Sequence, residues 1–343
     1  MRILLAGMDR QNGLPPSRFI TTTMATPAGM PYRAASIIAF DWDGTAVPSR
    51  DTFRPQLVEM CRGLIDHGVH LIVVTGTSAI YIEQGLLAHL PANHRMKITL
   101  CTNRGSEVSQ MFHDGTLHTI EQFQATPEQT KCLDLISEEL RKRLENHGVR
   151  STVITNRLNR HKIDLLPDLD HSATSSLSAN QRVALFHHLM QSRGTDIRIN
   201  RIIHMAKMVV QEIAREYRLS TDGRYLEVGL TDKSDSARWI AGWLWSNGIA
   251  PRDLIVAGDE FGPIGGLTGS DARMLIPELG EACFVSVGRT AGAFLSPVIN
   301  LGGGPDGFHR LLDHQLRHHQ HRRRAGFNPL PLYPPPQPRQ TAR

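Results

Sequence analysis

Two carboxylates, Asp41 and Asp43, stand two residues apart directly after the apolar run 36–40, and Gly44 and Thr45 follow them in "IIAFDWDGT". The pair is either the tip of a solvated turn or two acids that a strand delivers to one reaction centre. Residues of matching chemistry end other apolar runs. Thr75 closes "HLIVVTGTS", and Asp259 and Glu260 close "DLIVAGDE". Lys233 opens the helical stretch before the latter, and Asp271 begins a helix beyond the loop "FGPIGGLTGS". In parallel α/β sheets, ligands bind outside the carboxyl ends of the strands, so these acids, a hydroxyl and an amine converge on one edge. Several carboxylates together repel one another unless a hard dication sits among them, and oxygen-only ligands suit Mg²⁺. A Lys and a Thr hydroxyl beside that ion would hold the oxygens of a phosphoryl group. One carboxylate could then attack phosphorus and form an acyl-phosphate. A second, two residues on, could donate and later recover a proton.

The elements that must position these residues are legible. The run 36–40 is short and continuously apolar, as a strand buried on both faces requires. In "QLVEMCRGLIDHG", Leu57, Val58, Cys61, Leu64 and Ile65 repeat at helical spacing, with Gly68 as stop. "VHLIVVTGTS" and "KITLCTNRG" read as second and third strands, and the alternation with helices predicts a parallel α/β sheet. The middle differs. Thr126, Pro127, Gln129 and Gly148 bracket a well-marked helix, and "STVITN", "HKIDLL" and "RYLEVGL" read as strands of a separate α+β module. The sheet pattern resumes with a Trp-rich helix near 234–247, the strand "DLIVAGD" and the strand "ACFVSVG". We therefore expect a flexible lead over 1–35, a core from 36–105 and 225–318, an inserted module over 106–224, and a basic, Pro-rich, disordered tail from 319 to 343.

Four stretches taken in order, "FDWDGT", "VVTGTS", Lys233 in "TDKSDSARW" and "GDEFGPIGGLTGSDARML", resemble the motifs of the haloacid dehalogenase-like phosphohydrolase superfamily. The resemblance implies a Rossmann-like core with Asp41 as a nucleophile that becomes phosphorylated and Asp43 as general acid and base. It assigns Thr75 and Lys233 to stabilising the transferring group, with Gly44, Thr45, Gly76 and Arg104 near the substrate. Asp41, Asp259 and the backbone carbonyl of Asp43 would bind Mg²⁺, with Asp271 or Glu260 as the further acid. The chain departs from the pattern there: Glu260 adjoins Asp259, while Asp271 lies twelve positions on, and "SDARML" resembles the usual end of the motif, which favours Asp271 with Glu260 as the competitor. From Thr75 to Lys233 there are 158 positions, which places the insertion after the third strand. That arrangement resembles the C2 type of cap in its α/β subtype. This subtype is found in trehalose-phosphate, sucrose-phosphate and mannosyl-phosphoglycerate phosphatases, Cof-like sugar phosphatases and phosphomannomutases. The implied function is hydrolysis of a small phosphorylated metabolite, with a sugar phosphate foremost. A phosphosugar mutase and a non-catalytic binding protein acting through its tail are the alternatives.

Composition fits this. The chain has 343 residues, 40% hydrophobic and 21% charged, with no apolar run of membrane-spanning length. Four dispersed cysteines predict reduced thiols in a cytoplasmic protein. The net charge of +5 is unevenly placed: from His309 onward seven Arg and one Asp carry +6, leaving −1 for the rest. The body is thus not a basic nucleic-acid binder, and the tail reads as a solvated basic segment with at most weak binding to anionic surfaces. In the inserted module, Arg157, Arg160, His161 and Lys162 read as a solvated hairpin face in preference to an anion site. Arg104 is divided between a substrate contact and a surface ion pair.

Overall fold

The computed structural model describes residues 30–175, 177–288 and 298–326. Its strands are β1 (Ile37–Phe40), β2 (His70–Val74), β3 (Ile98–Thr102), β4 (Glu107–Met111), β5 (Leu117–Gln122), β6 (Thr152–Arg157), β7 (Arg160–Asp164), β8 (Arg218–Thr221), β9 (Tyr225–Gly229), β10 (Leu254–Gly258), β11 (Cys283–Ser286) and β12 (Ile299–Asn300). Eight strands form one sheet in the order β12-β11-β10-β1-β2-β3-β4-β5. The six from β12 to β3 run parallel, and β4 and β5 add antiparallel.

Strands β1, β2, β3 and β10 are buried along their whole length because helices cover both faces. Ile38, Phe40, Leu71 and Val73 pack with Leu57, Leu64, Phe308 and Leu311, from the helices Pro55–Asp66 and Gly304–Arg324. Ile37, Ala39, Ile72 and Val74 point the other way, onto Ala237, Ile240 and Trp243 of the helix Lys233–Ser246. This two-residue alternation gives each strand two apolar faces. Phe40 lies opposite both Val73 and Ala257, so the chain segments carrying Asp41, Thr75 and Asp259 leave the sheet at nearly one level.

The inserted module is a four-stranded antiparallel sheet in the order β6-β7-β9-β8. Helices Pro127–Asn146, Ala179–Ser192 and Ile199–Ile213 cover one of its faces: Ile163, Leu226 and Val228 pack with Leu140, Phe186 and Ile202. The Thr126–Gln129 capping box starts the first of these helices as expected, and Gly148 takes φ +73° just past its end.

Three boundaries differ from the sequence reading. Residues 107–122, expected in the inserted module, form β4 and β5 of the core sheet; β5 is half exposed and polar at an edge, which masks the strand signal. Residues 225–229, read as a strand of the inserted module although the expected bounds put them in the core, form β9 of the inserted sheet. The C-terminal helix runs to Arg324, so residues 319–324, expected in the disordered tail, are helical. Its histidines are not all solvated. His314 Nε2 donates to the Pro31 carbonyl at 3.1 Å, His319 Nε2 to the Ala35 carbonyl at 2.9 Å, and Ala35 N to Gln315 Oε1 at 2.9 Å. The end of the expected flexible lead is thus pinned from Met30 onward, with Met30 and Ala35 buried. The rest of that lead and of the tail lies outside the described residues.

Candidate active site

Asp41 follows β1 directly, and its N–H donates to the Ala257 carbonyl of β10 at 3.0 Å, which fixes where its side chain emerges. Lys233 is the first residue of its helix, held by the N-cap Asp232, whose carboxylate accepts from Ser234 N and whose N–H donates to Asp235. Arg273 anchors the same Asp232 at 2.7 Å. So placed, Lys233 Nζ donates 2.6 Å bonds to Asp41 Oδ1 and to Asp271 Oδ1. Asp271, wholly buried, accepts a second bond from Glu260 N at 2.8 Å. Asp259 Oδ1 accepts from Thr45 Oγ1 at 3.0 Å. Gly44 has φ +80°, and a Cβ there would meet Asp259 Oδ2 at 2.5 Å, so both backbone and space demand glycine.

Carboxylate oxygens of Asp41, Asp259 and Asp271 all lie within 4.8 Å of one another. Burial raises the Asp41 pKa to about 7 against the pull of Lys233, with Asp271 adding to the rise. Burial and the neighbouring acids Glu260, Asp41 and Asp271 raise Asp259 well above the carboxylate range. Two buried acids and a half-buried one so close, with one ammonium among them, are a donor set that lacks positive charge. All are hard oxygen donors, and that fits Mg²⁺. Glu260 lies outside this group; burial and Asp271 push it up to about 8. Its contribution here is its N–H.

The other expected residues are distributed as follows. Asp43 faces Arg50 at 3.2 Å, an arginine that no sequence signal singled out; burial raises its pKa despite that partner. Thr75 is buried at the end of β2, and its hydroxyl accepts from Thr77 N at 3.2 Å. Gly44, Thr75 and Gly76 line a cavity of about 470 Å³ together with Asp41, Asp43 and Lys233. Thr45 instead braces Asp259. Arg104 lines the cavity too, but it is no surface pair. Its guanidinium makes a 2.6 Å ion pair with Glu227 of β9 and donates to Ser270 Oγ at 3.0 Å, tying the end of β3 to the inserted sheet. Asn103 and Arg104 both take positive φ in the turn between β3 and β4, a strained conformation for residues with side chains.

The largest departure is the hairpin β6–β7. The helix-free face of the inserted sheet lies over the core strand ends, and Arg157, Arg160 and Lys162 line the cavity from it. Arg160 is only 4% exposed and donates to the Gly76 carbonyl. His161 points the opposite way and meets Ser137 Oγ at 3.1 Å. The charged face reads as solvated in the sequence because nothing local reveals that the core covers it. The strict alternation of Arg160 and Lys162 with His161 and Ile163 is the one available signal.

No family model matches the chain, and no curated protein matches its sequence. Solved structures match its fold. The IMP-bound, N-terminally truncated IMP-nucleotidase of Plasmodium falciparum superposes with a TM-score of 0.54 at 12% identity, over 83% of this chain and 68% of that one. An IMP-bound mutant of the same enzyme gives 0.55 at 12% identity, over 83% and 67%. A C-terminally truncated form gives 0.53 at 12% identity, over 83% and 72%. This chain therefore spans about two thirds of the length of those chains. The likeness is one of fold: a mostly parallel sheet with an inserted α+β module over its strand ends.

Proposed function

We propose that the protein is a Mg²⁺-dependent phosphomonoesterase acting on a small phosphorylated metabolite, a sugar phosphate foremost, through a phospho-aspartyl intermediate. The observation that carries the reading is the cluster of Asp41, Asp259 and Asp271 around Lys233, beneath a lined cavity at the ends of parallel strands. Asp41, Asp259, Asp271 and the Asp43 carbonyl would hold Mg²⁺, which supplies charge neutralisation for the phosphoryl oxygens.

The residues divide the remaining work. Lys233 pulls the Asp41 pKa down against its burial and presents an ammonium to the phosphoryl oxygens. Asp41 Oδ attacks phosphorus as the ester P–O bond breaks, and the Thr75 hydroxyl steadies the group in transfer. Burial raises the Asp43 pKa against the pull of Arg50, which favours its carboxyl as the donor of a proton to the leaving alkoxide. In the second half Asp43 takes that proton back from water, which attacks the acyl-phosphate and releases phosphate with Asp41 regenerated. The cap above the cavity keeps bulk water from the first step.

Phosphate release from a panel of hexose phosphates, pentose phosphates and nucleoside 5′-monophosphates, IMP among them, tests the reading. Mg²⁺-dependent release by the wild type and none by Asp41→Asn is the expected result. A folded wild-type protein that releases phosphate from no member would instead favour the non-catalytic alternative. Isomerised sugar phosphate in place of free phosphate would favour the mutase.

A further inference from the structure

The cap contributes more positive charge to the cavity than its own carboxylates can balance. Arg157, Arg160 and Lys162 converge on it from β6 and β7, and Arg104 reaches it from the end of β3. One carboxylate, Glu227, serves three of these four, at 2.6 Å from Arg104, 2.7 Å from Lys162 and 3.9 Å from Arg160. Burial acts to raise the Glu227 pKa, yet Arg104, Lys162 and Arg160 hold it well below the carboxylate range. The other arginines at the cavity have partners of their own: Arg50 with Asp43, Arg182 with Asp222 and Arg224 with Asp164. Among the described residues no carboxylate stands within 4 Å of Arg157. Its Nε is buried without a hydrogen-bond acceptor, as are Nε and Nη1 of Arg160. Burial lowers Arg160 to about 10, opposed by Glu227 and reinforced by Arg104, Arg157 and Arg50, so it remains a cation at neutral pH.

Buried guanidinium donors left unsatisfied, as on Arg160 at 4% exposure, are costly, and an anion from outside the chain removes that cost. A guanidinium's planar fork suits carboxylate and phosphate oxygens alike. The place is also set. Arg160 Nη2 donates to the Gly76 carbonyl, one residue past Thr75, so the free edge of this group adjoins the phosphoryl site.

We propose that Arg157, Arg160 and Lys162 form a second anion subsite, and that the substrate is a small phosphomonoester carrying another anionic group, a phosphate or a carboxylate, a few bonds from the one removed. The inference rests on the phosphatase reading only for the identity of the group transferred; the subsite itself is a matter of binding.

Three ligands on one six-carbon frame test it: glucose 6-phosphate, glucose 1,6-bisphosphate and 6-phosphogluconate. Their affinities for Asp41→Asn protein are measured by calorimetry with Mg²⁺ present. At least one doubly anionic ligand is expected to bind about 30-fold or more tighter than glucose 6-phosphate. Preference for the bisphosphate alone identifies a phosphate, and preference for 6-phosphogluconate alone a carboxylate. Adding Arg157→Gln, or separately Arg160→Gln, should collapse the ratio, with circular dichroism showing the fold intact. The second substitution guards against a change confined to one arginine. Three ligands bound with similar affinity, or a ratio that survives both substitutions, would overturn the proposal. Hydrolysis of p-nitrophenyl phosphate by the wild type, read separately, keeps the two claims apart. Asp41-dependent turnover without the ratio sinks the subsite alone, and the ratio without turnover sinks the phosphatase reading alone.

Discussion

Gly258→Ala moves one carboxylate without removing any charge. Gly258 ends β10 with a backbone that alanine can adopt, but a Cβ there would stand 2.3 Å from Asp271 Cγ and Oδ2 and 2.7 Å from its Cβ. Unstrained carbon contacts lie at about 3.5–4.0 Å, so the Asp271 side chain must retreat by ~1 Å. It is wholly buried, and Lys233 and Glu260 N grip both its oxygens, so the retreat breaks at least one bond at 2.6 or 2.8 Å. A lost charge-assisted bond and the overpacking together amount to a stability loss of about 3 kcal/mol. On the proposed Mg²⁺ reading, displacing Asp271 by that much should lower turnover ~100-fold and raise the Mg²⁺ concentration for half-activity by about 10–100-fold. Phosphate release titrated against Mg²⁺, beside a urea melt, reads both effects. Glu260→Gln keeps the N–H that Asp271 uses and should leave the Mg²⁺ titration in place. The reasoning is refuted if Gly258→Ala titrates like the wild type while Glu260→Gln requires far more Mg²⁺.

Other consequences are as direct. Asp43→Asn should cost about 10²–10⁴-fold with alkyl phosphates and much less with p-nitrophenyl phosphate, whose leaving group needs little protonation. Equal losses on both substrates would remove Asp43 from proton transfer. His70, buried on β2 with Nε2 at 2.9 Å from Thr99 Oγ1, is held down to about 3 by burial and then by Lys97. A lowered folded pKa means that the unfolded chain takes up the proton first as pH falls through ~6.5, so the native state loses stability toward acid. His70 alone should account for about 2 kcal/mol of that loss between pH 7.5 and 5. His70→Gln should therefore show a shallower acid limb in denaturant melts, and an unchanged limb would contradict the assignment. Arg104→Met leaves Glu227 buried with fewer partners and should destabilise the protein by about 3–5 kcal/mol in the same melts. A loss below 1 kcal/mol, as for an exposed pair, would show that the tie is not buried in solution.

The core was readable in sequence because its strands are buried on both faces. Runs such as 37–40 and 70–74 are then continuous in hydrophobicity, and the polar residue that stops each run marks a strand end. That logic placed Asp41, Thr75, Lys233 and Asp259 on one edge before any coordinate. It could not choose between Glu260 and Asp271, since the choice depends on how the loop 260–270 folds back to set Glu260 N against Asp271. It failed where burial comes from distant chain. Arg160 and Lys162 belong to a strand whose polar face looks solvent-bound until the core is placed against it. The histidines of the C-terminal helix look like a charged tail until carbonyls of Pro31 and Ala35 receive them. Edge strand β5 failed for the opposite reason: too little burial leaves too little pattern.

The central claim is that Asp41 becomes phosphorylated during turnover. Wild-type protein mixed with a phosphomonoester and Mg²⁺, quenched in acid within a single turnover and digested, should yield a base-labile phosphoryl group on the peptide carrying Asp41. Asp41→Asn protein should yield none and release no phosphate. Steady phosphate release by Asp41→Asn at the wild-type rate, with no phosphorylated peptide from either protein, would contradict the account.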